Sequence, residues 1–310
     1  MKETLLIQNP LMCAPMTDER SSMKNIKTFS GGHIFIENGK IKSIGPREFN
    51  GTADRVIDAS RMIVLPGLIN THHHFFQTLT RNIFPTENAP LFEWLKTNYT
   101  IWDGITESAI EISAEVAIAE LLKTGCTTTS DHLYLFPAQA DANLLDMTIN
   151  VAREMGIRFQ PTRGSMSLGQ SRGGLPPDNI IQKESEIVAD IRRLIKLYHD
   201  DSSGAMTRIA LAPCSPFSVT IELMQMVVKL ADEFNLQIHT HLAETLDEEK
   251  FCIENYGLRP FVLLKNLGWI RPNAWFAHSI YLNESEIAEM GAVGCGVSHC
   301  PTSNMRLGSG

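Results

Sequence analysis

Residues 64–77 read VLPGLINTHHHFFQ, a short apolar run that ends on three consecutive histidines. Side chains alternate across a strand, so His72 and His74 share one face and His73 points the other way. Two imidazoles on one face can chelate a metal. Their place at the C-terminal end of a strand matters, because parallel α/β barrels keep their active sites at that face.

Downstream of this strand the pattern repeats. Short apolar runs stand at 64–70, 127–134, 158–166, 208–214, 236–243, 274–280 and 295–300, separated by amphipathic stretches. This rhythm predicts βαβ units and a parallel sheet. The stretch ITESAIEISAEVAIAELLKTG shows helical spacing of its apolar residues, with Gly125 as its stop. The run TLTRNIFPTENAPLFEWLKTNY after the first strand is long enough to form a lid over the barrel mouth. The expected fold class is therefore α/β, a (β/α)8 TIM-type barrel over 64–310 with seven of its eight strands present and incomplete at its C-terminus. Seven strands would leave two unpaired sheet edges. Upstream, HIFIENGKIKSIG reads as a hairpin turning at Asn38-Gly39, so 1–63 is expected to form a small β-rich domain.

A second polar cluster, HTHLAET, ends the fifth strand with His241 and places Glu244 just beyond it, positions suited to a ligand and a proton shuttle. His239, two residues earlier, reads as a deeper core histidine. His278 and His299 end the sixth and seventh strands, so four strands deliver a histidine to one rim. A polar residue inside an apolar strand needs a partner, and a shared metal or substrate supplies one. The fourth strand, IALAPCSPF, has no lysine to bridge two ions, which predicts a single metal. There is no HExxH, which sets aside the helix-borne zinc proteases. Arg163, His132 with its neighbour Asp131, and Gln77 lie near strand ends and are further candidates for substrate contact.

The net charge of -8 over 310 residues comes without any basic block, which argues against nucleic acid and membrane partners. The N-terminus lacks a signal-like apolar run, and no segment offers the ~18 apolar residues of a spanning helix. Six scattered cysteines without a CxxC pair read as free thiols in a reducing compartment, so a cytoplasmic location is expected. The oligomeric state, a homo-oligomer included, stays open.

Together PGLINTHHHFFQTLTR, HTHLAET, AHSIYL and HCPTSNMRLGSG resemble the amidohydrolase superfamily in its aminohydrolase branch. SDHLYLFP and RGSMSLGQSRGGLPPD are similar to the deaminases of that branch that act on 8-oxoguanine and hydroxyatrazine. The resemblance implies metal ligands at His72, His74 and His241, a proton-shuttling Glu244, His278 beside the attacking water or the substrate, and His299 near the substrate. It implies one divalent ion, zinc or else iron, and a small heteroaromatic substrate losing an amine as ammonia. It also implies an aspartate ligand on an eighth strand and a C-terminal segment completing a composite β-sandwich with 1–63, both beyond the last residue here. A triazine hydrolase using the same site, or an inactive fragment, are the competing readings.

Overall fold

The computed structural model describes residues 3–15, 28–140 and 143–310. They fall into two units, Met1–Leu68 and Ile69–Gly310.

In the first unit, β1 (Thr4–Gln8), β3 (His33–Glu37), β4 (Lys40–Gly45) and β5 (Arg55–Asp58) form a sheet in the order β4-β3-β1-β5. A two-stranded pairing of β2 (Met12–Cys13) with β6 (Ile63–Val64) lies beside it in the chain. β3 and β4 are antiparallel and turn through Asn38 at φ 51° and Gly39 at φ 72°. Both values lie in the left-handed region that a tight hairpin demands.

The second unit carries a seven-stranded sheet in chain order: β7 (Leu68–Asn70), β8 (Cys126–Leu133), β9 (Arg158–Ser165), β10 (Ala210–Pro213), β11 (Ile238–Leu242), β12 (Ala274–His278) and β13 (Gly296–Ser298). The registered neighbours run parallel, as in a (β/α)8-type barrel. Nine helices are described: α1 (Leu91–Trp102), α2 (Glu107–Lys123), α3 (Leu144–Met155), α4 (Glu184–Tyr198), α5 (Ile221–Phe234), α6 (Leu246–Tyr256), α7 (Pro260–Asn266), α8 (Glu284–Val293) and α9 (Pro301–Leu307). Thr106 caps α2 by accepting from the Ala109 N–H, and Gly125 turns the chain at φ 87° into β8.

The longer helices bury one stripe each. On α5 it is Leu223, Met224, Val227, Leu230 and Ala231; on α4 it is Ile187, Ile191 and Leu194. A buried side chain of this size contributes about 1.5–3 kcal/mol relative to exposure. Among the described residues no helix is long and apolar enough to cross a membrane. All six cysteines are free.

Two expectations change. The sheet edges β7 and β13 share no backbone ladder, yet they do not stand apart. Thr71 Oγ1 and Ser298 Oγ lie 2.8 Å from each other, and the Trp275 indole N–H donates to Thr71 O at 3.0 Å. The expected lid is partly core. α1 buries Leu91, Leu95, Tyr99 and Trp102, and the Trp102 N–H donates to Thr80 Oγ1 at 3.2 Å. Aromatic side chains that each bury about 150–250 Å² anchor a segment rather than free it.

Leu223→Ala is expected to lower unfolding free energy by about 2–5 kcal/mol. Leu197→Ala, at a position 57% exposed, should change it by less than about 0.5 kcal/mol. Urea midpoints at constant m-value check both; equal effects would contradict the described helix faces.

Candidate metal centre

The histidine segment is fixed by backbone contacts before any ligand is considered. The His72 N–H donates to Asn70 Oδ1 at 3.0 Å, the Phe75 N–H to Asp131 Oδ1 at 2.7 Å, and the His132 N–H to His73 O at 2.7 Å. The loop after β7 is thereby sewn onto the end of β8. His72 and His74 meet edge to face at 4.6 Å between ring centres. His73 turns away and packs on Phe75 at 5.1 Å.

The hydrogen bonds decide which ring nitrogens are free. His74 Nδ1 lies 2.8 Å from His132 O, and His241 Nδ1 lies 2.7 Å from Cys214 O. A carbonyl only accepts, so both Nδ1 atoms carry the proton and both Nε2 atoms carry lone pairs. His239 Nδ1 donates to Trp275 O at 2.8 Å, so His239 Nε2 accepts from His72 Nδ1 at 2.8 Å. His72 is left with a lone pair on Nε2. The Nε2 atoms of His74 and His241 stand 3.2 Å from each other. Two facing lone pairs repel, unless a cation lies between them. That spacing matches the edge of a tetrahedron with metal–nitrogen bonds of about 2.0–2.1 Å.

His72, His74, His132 and His241 each offer a ligand atom, all within 4.8 Å of one another. Burial holds all four well below the usual imidazole pKa, so the rings are neutral and able to ligate. The donor set fits a divalent cation.

Beside the imidazoles lies an acid–base pair. Glu244 Oε1 is 3.5 Å from His278 Nε2, and His278 Nδ1 donates to Asn304 Oδ1 at 2.7 Å. Burial pushes the Glu244 carboxyl up to about 8. The backbone at His278 and just before Glu244 is unusual: Ala243 has φ 50°, His278 φ 70° and Ser279 φ 55°. The two turns brace each other, Ser279 N–H donating to Leu242 O and Tyr281 N–H to Ala243 O.

Three residues in this arrangement escape the sequence reading. His239, read as a core histidine, fixes the tautomer of His72. Asn304 orients His278. Glu248 takes the N–H groups of Ala243 at 2.9 Å and Glu244 at 2.8 Å, holding the strained turn with a single carboxylate. Its signal was present: Thr245-x-x-Glu248 has the capping-box spacing, and Thr245 does cap α6. Cys300 also offers its thiol within 4.8 Å of His72 and His278.

The other candidates scatter. Gln77 Nε2 donates to the Tyr134 hydroxyl at 3.3 Å, and the Tyr134 ring meets His74 at 5.2 Å. His299 is exposed just past β13. Arg163 stands apart from the histidines. Its buried guanidinium is committed to Asp190 at 2.5 Å, to Gln182 at 2.8 Å and to Gly164 O, and it lies 3.7 Å over the Phe136 ring.

Residues 63–310 match the model of the amidohydrolase family. Over 284 residues the chain is 49% identical to an 8-oxoguanine deaminase of Pseudomonas aeruginosa, covering 91% of this chain and 63% of that protein. It is 32% identical to a hydroxydechloroatrazine ethylaminohydrolase of Pseudomonas sp., covering 90% and 60%. Among solved structures, an atrazine chlorohydrolase from Arthrobacter aurescens complexed with zinc superposes with a TM-score of 0.91 at 30% identity, covering 98% of this chain and 67% of that one. The chain thus spans 60–63% of the length of these curated relatives.

The buried groups set a pH optimum for stability of the metal-free protein. The depressed values of His72, His73, His74, His132, His239, His241 and His278 mean that below pH 6.5 the unfolded chain binds protons the folded one refuses, so stability falls as pH drops. Asp131, Glu244 and Glu248, raised to about 8, 8 and 7, keep protons that the unfolded chain has already released, so stability also falls as pH rises towards 8. Urea midpoints in EDTA should peak near pH 6.5; a midpoint still climbing at pH 8 would mean that the three carboxyls are ionised in the fold.

Proposed function

Because the chain belongs to the amidohydrolase family, we propose that its histidine cluster is a mononuclear divalent-metal centre, most suited to zinc, and that the protein hydrolytically deaminates a heteroaromatic ring. The substrate is 8-oxoguanine or a similar purine, with ammonia as the leaving group. His72, His74 and His241 hold the ion, Glu244 and His278 handle protons, and His132, Gln77 and His299 are the candidates to touch the ring. Six free cysteines agree with a cytoplasmic location. A cation bound there supplies Lewis acidity, lowering the pKa of water by several units and favouring charge on a developing oxygen.

The observation that carries this reading is the buried Glu244 carboxyl 3.5 Å from the His278 imidazole, in surroundings that push its pKa up. Replacing an amine by water needs one proton removed from the water and one delivered to a nitrogen. A carboxyl whose value lies near 8 holds a proton at neutral pH and can hand it over and regain it in turn. His278, with Nδ1 committed to Asn304, keeps Nε2 for the water or the developing oxygen. Tyr134 is buried against the rings of His74, His132 and His241 and shields them from bulk water.

A second reading is hydrolysis of a triazine, supported by the likeness to the zinc-complexed chlorohydrolase. The two differ in what the leaving group requires. Chloride departs without a proton, whereas an amine needs one, and a carboxyl that keeps its proton near neutral pH serves the amine.

Glu244→Gln should lower ammonia release from 8-oxoguanine by roughly 10²–10⁴-fold while bound metal, measured by mass spectrometry, stays at the wild-type level. Unchanged turnover removes Glu244 from the mechanism. Wild-type protein that releases nothing from 8-oxoguanine but amine or chloride from a triazine favours the second reading.

A further inference from the structure

Helix α1 carries a phenol into the core on the side of the imidazoles. Tyr99 is 1% exposed, and its hydroxyl is buried with no hydrogen-bond partner among the described residues. Its ring meets Trp102 edge to face at 5.8 Å, Trp102 meets Phe76 at 5.1 Å, and Phe76 meets Tyr134 at 5.4 Å. This run of rings ends at the site, because Tyr134 lies 5.2 Å from His74 and 6.4 Å from His241.

The electrostatics place the hydroxyl more closely. Burial raises the pKa of Tyr99 well above the usual phenol value, and the Cys214 thiol raises it further. Tyr134 is raised by burial, by Cys214 and by Tyr99. Cys214 and Tyr134 are the first residues past β10 and β8, and Cys214 Sγ is 4.0 Å from His241 Nδ1. Both strands have neighbours on either side in the sheet, so these groups lie away from its edges.

The same corner is rich in protons and poor in acceptors. The Tyr134 oxygen already accepts from Gln77 Nε2 at 3.3 Å, and nothing among the described residues takes the Tyr99 proton. A buried hydroxyl without a partner forfeits the hydrogen bond that water gave it. An uncharged oxygen acceptor on a ligand restores that bond, whereas an amino group brings more protons to a place that already has them.

We propose that the Tyr99 hydroxyl is a specificity contact of this site, donating a hydrogen bond to an exocyclic oxygen of the heteroaromatic ring. The inference rests on the function proposed above and goes beyond it, since it makes α1 a wall of the substrate site and selects rings that carry an oxo group.

Tyr99→Phe keeps the ring and removes only the oxygen. Calorimetry measures ligand affinity in the zinc-loaded Glu244→Gln chain, where the ligand persists, with and without the Tyr99→Phe change. The ligands are 8-oxoguanine and 2-aminopurine, which keeps the amine but has no oxo group. Tyr99→Phe should weaken 8-oxoguanine by roughly 3–10-fold and leave 2-aminopurine unchanged. The urea midpoint of the ligand-free chain should hold or rise, because the change deletes a buried group that has no partner. A midpoint that falls shows the hydroxyl to be held by a bond inside the protein and overturns the proposal. Unchanged affinity for 8-oxoguanine, or an equal loss for both ligands, overturns it as well. A Glu244→Gln chain with Tyr99 intact that binds neither ligand overturns instead the substrate reading on which the proposal rests.

Discussion

Backbone carbonyls of the parallel strands and the residues just past them, each taking an imidazole N–H, are the constraint on which the rest of the site depends. His132 O holds His74, Cys214 O holds His241, Trp275 O holds His239, and Ala212 O holds His132. An imidazole has two nitrogens, and a bond to a carbonyl proton-loads one and leaves the other as a lone pair. The sheet thus sets tautomers as well as positions. The cluster is neutral and buried, and the Nε2 lone pairs of His74 and His241 face each other at 3.2 Å.

The acid–base half of the site is built differently, on turns with costly backbone. Left-handed conformations at Ala243, His278 and Ser279 each cost of order 1–3 kcal/mol for residues other than glycine. They persist because neighbouring groups over-determine them: Glu248 accepts two consecutive N–H groups from one turn, and the second turn hydrogen-bonds onto the first. Glu248 is itself buried and raised to about 7. The geometry that brings Glu244 within 3.5 Å of His278 is therefore bought with a second buried carboxyl.

Much of the architecture was legible in the sequence, because each of its signals is local. Alternation split His72 and His74 from His73, the apolar runs marked the seven parallel strands, and Asn38-Gly39 marked the hairpin. The details that complete the site are not local. His239 meets His72 across 167 residues, His132 reaches Ala212 across 80, and Asn304 reaches His278 across 26. No spacing rule joins such pairs before the barrel brings them together. Glu248 had a local signal, but its carboxylate passes over the cap residue Thr245 and accepts from the N–H groups one and two residues before it. Arg163 shows the opposite case: a strand-end arginine suggests a ligand, while Asp190, which neutralises it, and Gln182, which accepts from it, lie 27 and 19 residues away.

The position of His72 shows how these links substitute for sheet structure. β7 has only three residues, and Leu68 and Ile69 are 59% and 68% exposed, so the strand has little burial to hold it. Polar bonds from the far side of the sheet hold it instead. The Trp275 indole donates to Thr71 O, and its ring stacks on His239 at 4.4 Å and 15°. The backbone carbonyl of the same residue accepts from His239, which accepts from His72. Ser298 closes onto Thr71 from β13. One tryptophan on β12 therefore fixes the backbone before His72, the ring that sets its tautomer and the face on which that ring packs. Aromatic stacking and two hydrogen bonds of about 1 kcal/mol each are modest separately. Acting on one residue from three directions, they define the orientation of a ring that its own strand is too short to define.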